Sequence, residues 1–346
     1  MNKLILPAVQ KNVSLASMNT MGLPAKASEF VELQSEDELI SLHKNGFFEK
    51  QKPFVLGGGS NVLFKHEVSK TVLKVSLKGI DIVKVEENSV LVKIGAGENW
   101  HRFVEWAVNH GYGGVENLAL IPGTVGAAPI QNIGAYGVEL KEVFEELICF
   151  DLKTGSFHQF TNQECKFGYR DSIFKKELEG HVIITSVTLR LTKKNHLLNT
   201  SYRSLKDLLK EKNIEKPTIR DIFNAVVAIR RSKLPDPKNL GNAGSFFKNP
   251  VLSKKSFERL LKNFSEVPHY PVDEENVKIP AGWLIEQAGW KGKRVGNVGT
   301  YENQALVIVN HGGATGDEVY RHALKVQQSV QEKFGIQLVP EVNIVE

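Results

Sequence analysis

Two segments rich in small residues are the first features of this sequence that indicate chemistry. Residues 57–61 read Gly-Gly-Gly-Ser-Asn after a short apolar run, and residues 121–137 read IPGTVGAAPIQNIGAYG. Small residues leave backbone N–H groups unobstructed, so such loops can surround a phosphate or line a slot for a flat cofactor. Neither segment has the spacing of a dinucleotide fingerprint or a P-loop. A plain tight turn and a buried glycine-rich loop remain the respective alternatives.

Three polar side chains in separate segments are the next candidates. Arg170 lies in a Tyr-Arg-Asp-Ser segment, Ser245 follows a glycine within apolar surroundings, and Glu341 stands between proline and valine near the chain end. Taken singly, each has a plain structural explanation: an ion pair, a turn and an exposed carboxylate. No histidine stands beside Ser245 and no GxSxG motif is present, so the sequence does not indicate an acyl-transfer triad.

Composition excludes several classes of protein. Of 346 residues, 41% are hydrophobic and 24% charged, which is typical of globular proteins. The net charge of +5 is interspersed, which argues against a nucleic-acid-binding protein and suits a small anionic substrate. No apolar run approaches the roughly 18–20 residues that a membrane helix needs. The first ten residues are too weakly apolar for a signal peptide, and the two cysteines lack CxxC spacing. We therefore expect a cytoplasmic protein with buried free thiols and no metal site.

The elements that must position these side chains are short. Strand-like runs and glycine turns dominate the first 190 residues, which predicts an α+β domain. Ser35 with Glu38, and Thr315 with Glu318, have the capping-box spacing of helix starts. Charged residues without a long apolar pattern follow the first domain and predict a connecting excursion. We expect an α+β domain at 1–195, an excursion at 196–217, a second α+β domain at 218–335 and a terminal strand at 336–346.

The ensemble of motifs resembles the UDP-N-acetylenolpyruvoylglucosamine reductase family, flavoenzymes of bacterial peptidoglycan precursor synthesis. The motifs run in family order over essentially the whole chain, and the long ones are highly specific. Tyr202 in the excursion resembles the form of the family that folds a tyrosine-bearing loop over its substrate. The matching segments are 19–22, 57–61, 121–137, 169–172 (YRDS), 233–250 (KLPDPKNLGNAGSFFKNP), 281–285 (AGWLI) and 340–342 (PEV).

The resemblance implies a fold, a cofactor and a reaction. The first domain would hold FAD non-covalently in two α+β lobes of the vanillyl-alcohol oxidase (PCMH) type. The smaller second domain would bind substrate, and the terminal strand would return to the active site. NADPH would be the co-substrate, and UDP-N-acetyl-enolpyruvoylglucosamine would be reduced to UDP-N-acetylmuramate. The partners expected are small molecules, with no nucleic acid, no membrane and a monomeric protein.

This chemistry places demands on three residues. Hydride delivered from flavin N5 to the terminal carbon of the enolpyruvyl double bond leaves negative charge on the adjacent carbon and its carboxylate. A cation and a hydrogen-bonding acid in a sheltered site would stabilise that charge. Arg170 and Glu341 match the family positions for this role, with Glu341 protonated or sharing a proton. Ser245 matches the proton donor, since an enolate-like dianion is basic enough to take a serine proton in a fixed geometry.

The remaining assignments come from matches to the family motifs. Arg230 and Lys233 would supply cations for a diphosphate, while Gln131 and Tyr136 would lie nearer the flavin. Lys278 has a solvated strand lysine as its alternative. The predicted cofactor residues are Gly57, Gly58, Gly59, Ser60, Asn61, Pro122, Gly123, Thr124, Gly126, Ala127, Gln131, Asn132 and Gly134. The predicted substrate residues are Tyr136, Tyr202, Arg230, Lys233, Asn249, Tyr270, Lys278 and Gln304.

One departure and two alternatives accompany the resemblance. Many relatives carry a basic residue two positions after the terminal glutamate, where this chain has Asn343, so a flavin-tuning charge is absent there. An oxidase of the same flavin class would share the glycine loops but not the motifs at 233–250 and 340–342. A non-catalytic flavin or nucleotide sensor is the second alternative, and the joint retention of Arg170, Ser245 and Glu341 argues against it.

Overall fold

Helices together with parallel and antiparallel strands build two compact units, each with its own apolar core. The computed structural model describes residues 6–50 and 52–346. The first unit comprises the described residues up to Val13 together with Ala27–Gly59 and Val68–Arg231. The second comprises Ser14–Lys26, Ser60–Glu67 and Ser232–Glu346. The α+β content agrees with the sequence prediction.

Within its described residues, the first unit contains two large sheets and one two-stranded pair. Within the five-stranded antiparallel sheet, Val90, Val92 and Ile94 are buried while the intervening residues of the same strand are not, as expected of a strand with one face on the core. The four-stranded sheet has the order Gln10–Ser14, Lys26–Leu33, Val72–Val75, Phe54–Leu56, and the last three strands are parallel. The five-stranded sheet has the order Phe157–Thr161, Phe144–Asp151, Val182–Thr192, Ser89–Gly95, Ile80–Val85.

The first helix of the first unit begins at its predicted cap, and a second helix begins at a capping asparagine. Ser35 accepts the N–H of Glu38 in a complete capping box, and Asn99 accepts the N–H of Arg102. The α-helices that begin in this unit are Glu36–Lys44, Phe47–Lys50, Trp100–Asn109, Arg203–Glu211 and Ile219–Lys233. Short 3₁₀ turns span Glu116–Leu118, Val125–Ala127, Pro129–Gln131, Leu140–Glu142 and Ile173–Lys175, and Gly134–Ala135 pairs with Val138–Glu139.

Two of these helices differ from the predicted domain boundaries. The charged excursion contains the helix Arg203–Glu211, because Leu205 and Leu209 recur four residues apart and are buried. The helix Ile219–Lys233, predicted to open the second domain, packs its apolar face in the core of the first unit. The change of unit therefore falls within this helix, between Arg231 and Ser232, later in the chain than the excursion.

The second unit combines three small sheets with three α-helices. Its longest helix starts at the predicted capping box of Thr315 and Glu318. The sheets are Gly241–Ser245, Val307–Asn310, Val298–Thr300, Arg294–Val295; then Val251–Ser253, Asn276–Lys278, Tyr270–Pro271; and a parallel pair, Val62–Phe64 with Asn343–Val345. The α-helices are Lys254–Leu261, Ala281–Gln287 and Gly316–Phe334, and Ala16–Met18 is a 3₁₀ turn.

The final strand is shorter than the predicted terminal strand at 336–346. Only Asn343–Val345 pairs as a strand, whereas the preceding segment makes single contacts, such as the bridge between Pro340 and Phe247. Pro340 has no N–H, so it interrupts a regular ladder at this point.

Both cysteines are free and buried, as predicted. Burial raises the pKa of Cys149 and of Cys165 to about 12, so neither is a thiolate at neutral pH. Over residues 6–50 and 52–346, we find no helix with the length and apolar character needed to cross a membrane.

Candidate active site

The two glycine-rich loops of the first unit pack directly against each other. A Cβ atom on Gly58 would lie 2.7 Å from the Cα of Gly123, and one on Gly57 would lie 2.6 Å from the Oγ1 of Thr124. Gly59 and Gly123 also have positive φ angles of 63° and 116°, which side chains disfavour. Loop-to-loop packing therefore requires these glycines, independently of any ligand.

The same contact leaves backbone donors for a ligand. Within the described chain, the N–H groups of Gly58, Gly59, Gly123 and Thr124 donate to no protein acceptor. These residues are buried or half-buried, where an N–H group needs a partner. Four such groups at the meeting point of two loops form a concave donor set for phosphate oxygens. The loops therefore fit the diphosphate of FAD.

Other residues of the second loop are bonded to the protein instead. The N–H of Gly126 donates to the carbonyl of Ala96 at 2.9 Å, and a Cβ on Gly126 would lie 2.5 Å from the Cβ of Ala96. The N–H of Ala127 donates to Thr124 at 3.1 Å, and Pro122 is exposed. Gly126 and Ala127 thus shape the loop, and their N–H groups are occupied.

Arg170 is held by carbonyl groups of the second loop. Its guanidinium donates to the carbonyl of Gly134 at 2.5 Å and to that of Asn132 at 3.5 Å. Asn132 is fully buried, and its Nδ2 donates to the carbonyl of Gly168 and to Glu139, both at 3.0 Å. The Asn132 side chain therefore supports the turn that carries Arg170. Gln131, just before it, ends a 3₁₀ turn and is half-buried.

Tyr136, Tyr202 and Arg230 come together in the first unit. The two tyrosine rings meet edge to face with centroids 5.0 Å apart. The Tyr136 hydroxyl is hydrogen-bonded to Arg230, whose Nε also donates to the carbonyl of Leu120 at 3.2 Å. Burial raises the pKa of Tyr136 and lowers that of Arg230. Among the described residues, no carboxylate forms an ion pair with Arg230, so its charge is available to an anion.

In the second unit, backbone pairing places Ser245 and Glu341 on neighbouring segments. Ser245 ends a strand and pairs with Val307, and the N–H of Phe246 donates to Leu306 at 2.8 Å. On the other side, the N–H of Glu341 donates to the carbonyl of Phe246 at 2.8 Å. The proposed acid therefore lies on the segment adjacent to the serine.

The segment at 19–22, which matches a family motif, supports the serine strand. The Thr20 hydroxyl donates to the carbonyl of Asn242 at 2.6 Å, and the N–H of Asn242 donates to the carbonyl of Thr20 at 3.0 Å. Gly241 lies against the carbonyl of Met21 so closely that a Cβ atom would collide with it. Sequence reasoning recognised this segment only by resemblance, because its contact lies over 200 residues away.

Asn61 has a structural contact in the second unit. Its Nδ2 donates to the carbonyl of Glu341 at 3.2 Å, and its own carbonyl accepts the N–H of Asn343 at 3.0 Å. The exposed Asn343 side chain also donates to the Asn61 carbonyl, at 3.2 Å. Ser60, beside it, is half-buried. The position that lacks the family's basic residue thus contributes a hydrogen bond that secures Asn61.

The predicted substrate residues of the second unit are dispersed over several elements. The Asn249 Oδ1 accepts the N–H of Ala281 at 2.8 Å and so fixes the start of the helix Ala281–Gln287. Lys278 pairs with Tyr270, which is 59% exposed. Lys233 is exposed at the end of its helix. Gln304 Oε1 lies 3.0 Å from where a Cβ of Gly282 would be, which explains the glycine of the AGWLI motif.

Comparison with known proteins decides the family. Residues 236–345 match the C-terminal domain model of UDP-N-acetylenolpyruvoylglucosamine reductase, and residues 27–160 match an FAD binding domain. The reductase of Flavobacterium johnsoniae is 50% identical over 97% of this chain and 99% of its own length. That of Chromobacterium violaceum is 46% identical over 96% of this chain and 98% of its own. The chain belongs to the UDP-N-acetylenolpyruvoylglucosamine reductase family.

A solved structure agrees with the fold of this reductase family member. The crystal structure of UDP-N-acetylenolpyruvylglucosamine reductase from Thermus caldophilus matches with a TM-score of 0.67 and 24% identity, covering 99% of this chain and 100% of that chain. The predicted family and α+β flavin fold are confirmed. The protein is an oxidoreductase, a UDP-N-acetylmuramate dehydrogenase of peptidoglycan precursor synthesis, and FAD is its cofactor.

Proposed function

We propose that this reductase uses NADPH to reduce UDP-N-acetyl-enolpyruvoylglucosamine to UDP-N-acetylmuramate, with Ser245 as proton donor. The observation that carries the proposal is the hydrogen bond between Glu341 and Phe246, which places an acid beside the segment of Ser245. FAD, when bound, supplies a hydride to the terminal carbon of the enolpyruvyl double bond. The first domain, around the loops at 57–59 and 122–124, would hold the FAD, and the second would bind substrate.

Ser245 completes the addition of two hydrogens across the double bond. The substrate carbon beside the carboxylate gains the electron pair of the former double bond and takes the proton of the Ser245 hydroxyl. Solvent protons then restore the hydroxyl. Serine is a weak acid in water, so this role requires a strongly basic carbon and a fixed geometry. The pairing of Ser245 with Val307 and the bond from Phe246 to Leu306 provide such fixation.

Arg170 and Glu341 act on the substrate carboxylate, where the negative charge accumulates. The carbonyl groups that accept from Arg170 orient its planar guanidinium, which is suited to a carboxylate. Glu341 donates a hydrogen bond when it carries a proton. Groups that are already oriented toward developing charge need no reorganisation during the reaction, and they stabilise it most where water is excluded.

Substrate binding falls to both units. In the first, Arg230 lies beside Tyr136 and Tyr202 and offers a charge that no carboxylate of the described residues pairs with. In the second, we assign Lys233, Asn249, Tyr270, Lys278 and Gln304 to the nucleotide-sugar. The Asn249 Oδ1 accepts the N–H of Ala281, which fixes this side chain at the start of the helix Ala281–Gln287. The enzyme would act as a monomer in the cytoplasm.

Replacing the serine hydroxyl tests the proposal. In Ser245→Ala, we expect NADPH to bleach the flavin at a near-normal rate, because the serine acts only once substrate is bound. Reoxidation by the enolpyruvyl nucleotide-sugar without oxygen should slow by about 10²–10⁴-fold, as expected for loss of a positioned proton donor. Stopped-flow absorbance measures both half-reactions.

The control is Ser256→Ala, an exposed serine of the same unit, which should leave both rates unchanged. Equal slowing of the two half-reactions by Ser245→Ala would contradict the proton-donor role. Rapid flavin reoxidation by oxygen with a hydroxyl substrate would instead favour the oxidase alternative. Absence of any turnover by the parent protein would favour the sensor.

A further inference from the structure

Leu120 has a strained backbone at the entrance to the second glycine-rich loop. Its φ is 57°, a left-handed conformation that a leucine keeps only where its surroundings impose it. Two side chains of the first unit bond to its backbone. The Leu120 N–H donates to the His101 Nδ1 at 3.1 Å, and the Leu120 carbonyl accepts from the Arg230 Nε at 3.2 Å. Leu120 therefore connects His101 to an arginine assigned to the substrate.

Only one form of the His101 ring can make this bond. Because a backbone N–H is always the donor, the Nδ1 carries no proton, and the ring is neutral with its proton on Nε2. The ring also stacks on Phe223, with centroids 5.7 Å apart and an angle of 11° between the planes. Phe223 and Arg230 lie on the same helix, Ile219–Lys233. His101 thus packs on the helix that carries Arg230 and bonds to the residue that holds it.

The surroundings of His101 favour the neutral ring. Burial is the main cause that lowers the pKa of His101 below its ordinary value of 6.5. The charges of Arg230 and Arg231 lower this pKa as well, whereas Glu105 on its own helix raises it. The bond is therefore intact at neutral pH. A second proton on the ring would turn the Nδ1 from an acceptor into a donor that faces the Leu120 N–H.

The neighbouring residues of the loop are held by other bonds. The Trp100 Nε1 donates to the carbonyl of Leu118 at 2.9 Å, and the Trp100 N–H donates to the carbonyl of Gly123 at 3.1 Å. These bonds lie on both sides of Leu120 in the chain. A change at His101 should therefore leave the N–H of Gly123 in place for FAD.

We propose that His101 is a positioning residue, which holds Leu120 where its carbonyl orients the guanidinium of Arg230 for the diphosphate of the nucleotide-sugar. This inference rests on the proposed function, in which Arg230 binds that substrate. An arginine that is already oriented loses less conformational entropy on binding, which strengthens binding without a new contact. His101 therefore lowers the Kd for the substrate and leaves hydride transfer and protonation unchanged.

The test compares two histidines of one helix in the FAD-loaded enzyme. His101→Ala should raise the Kd for UDP-N-acetyl-enolpyruvoylglucosamine about tenfold, which corresponds to about 1.4 kcal/mol. Titration of the oxidised enzyme, followed by flavin absorbance, measures this Kd without turnover. The kcat and the FAD retention of the variant should match the parent. The control is His110→Ala, because His110 is an exposed histidine at the C-terminal end of the same helix. An unchanged Kd in His101→Ala, or an equal rise in both variants, would overturn the proposal.

A substitution by asparagine separates the acceptor from the ring. The Oδ1 of asparagine, like the Nδ1 of histidine, is bonded to Cγ, so in His101→Asn it can accept the Leu120 N–H without titrating. At neutral pH the Kd of this variant should stay within about twofold of the parent. As the pH falls below 6.5, the Kd of the parent should rise and that of the variant should stay constant. An identical pH dependence, or a rise in Kd as large as in His101→Ala, would contradict the role of the acceptor.

A double-mutant cycle shows whether the effect passes through Arg230. In an Arg230→Ala background, His101→Ala should cause no further rise in Kd, because coupled residues are not additive. Additive effects would overturn the proposal. If His101→Ala does not fold, His101→Phe keeps a ring against Phe223 while removing the acceptor, and the same outcomes apply.

Amide hydrogen exchange separates this inference from the proposed function. If the parent enzyme neither binds nor reduces the nucleotide-sugar, the proposed function fails, and His101 is judged by exchange at the Leu120 N–H. Faster exchange there in His101→Ala than in His110→Ala supports the positioning role. Equal exchange in the two variants overturns it.

Discussion

The two units hold their candidate site residues by different means. In the first unit, Leu120, Asn132, Tyr136 and Arg170 all have left-handed backbones, with φ between 43° and 57°. In the second, Ser245 and Glu341 lie on segments joined by backbone hydrogen bonds, and the left-handed position beside the serine is a glycine, Gly244.

A side chain can thus be fixed by a strained left-handed backbone or by backbone hydrogen bonds between neighbouring segments. Left-handed conformations cost about 1–3 kcal/mol each for non-glycine residues and persist where surrounding bonds impose them. The amides of Asn117 and Asn132 provide such bonds in the first unit. In the second unit, backbone hydrogen bonds on both sides of Phe246 hold the segments of the acid and the serine without a strained non-glycine residue beside them. Changes in the loop at 121–137 of the first unit should therefore affect ligand binding, and changes at Ser245 or Glu341 of the second should affect chemistry.

The largest effect should come from removing the acid of the second unit. Glu341→Ala removes the hydrogen-bond donor to the charge that develops on the substrate carboxylate. We expect flavin reoxidation by substrate to slow by about 10²–10³-fold, the usual effect of losing one such donor. Substrate affinity should change little, and anaerobic stopped-flow absorbance measures the rate.

Glu258→Ala supplies the control for this prediction, because Glu258 is an exposed glutamate of the same unit. It should leave the rate at the parental value. If Glu341→Ala instead raised the KM and preserved kcat, the assignment of chemistry to Glu341 would be wrong.

A pair of glycine substitutions gives an intermediate effect and contrasts the units directly. In Gly126→Ala the new methyl group would lie 2.5 Å from the Cβ of Ala96, so the loop must shift, at about 1–3 kcal/mol of unfolding free energy. Gly244 has a φ of 70° and open space around it, so Gly244→Ala costs about 1–2 kcal/mol through backbone strain alone.

Only the first of these changes should weaken FAD binding. Gly126 lies in the loop whose neighbours offer free N–H groups, whereas Gly244 is in the strand that carries Ser245. Urea denaturation measures the stability, and ultrafiltration of the yellow protein measures FAD retention. Greater loss of FAD from Gly244→Ala than from Gly126→Ala would show that the loop of Gly126 is not the FAD-binding element.

The sequence predicted features that depend on local bonding or on long motifs. Both capping boxes, at Ser35 and Thr315, form as expected because cap and partner lie three residues apart. The family resemblance predicted the α+β flavin fold, now confirmed. The helix Arg203–Glu211 was missed because its apolar face is narrow and its burial comes from the core of the first unit.

The long-range contacts of polar and small residues could not be predicted from local spacing or from motifs. The cofactor contact of Asn132 stays a prediction, and its buried amide has the further role of bonding to Gly168 and Glu139. An asparagine can satisfy a ligand or a distant carbonyl equally well, and sequence spacing does not distinguish them. The glycines at 57 and 58 were attributed to a ligand, although packing on residues 123 and 124 already requires them.

The smallest effect concerns acid stability of the second unit. His322 is 3% exposed, its Nε2 is hydrogen-bonded to the Thr300 hydroxyl at 3.0 Å, and its Nδ1 has no partner within the described chain. Burial lowers its pKa from 6.5 to about 4. Below pH 6.5 the unfolded chain binds a proton at this histidine, whereas the folded protein binds it only near pH 4. The free energy of unfolding therefore falls as the pH drops through this window.

Between pH 7 and 5.5 we expect the free energy of unfolding to fall by about 1 kcal/mol because of this group. Urea denaturation monitored by tryptophan fluorescence measures the change. His322→Gln removes the titrating group, so over the same interval the variant should lose about 1 kcal/mol less of its free energy of unfolding than the parent does. An identical pH dependence in parent and variant would show that His322 is not the source.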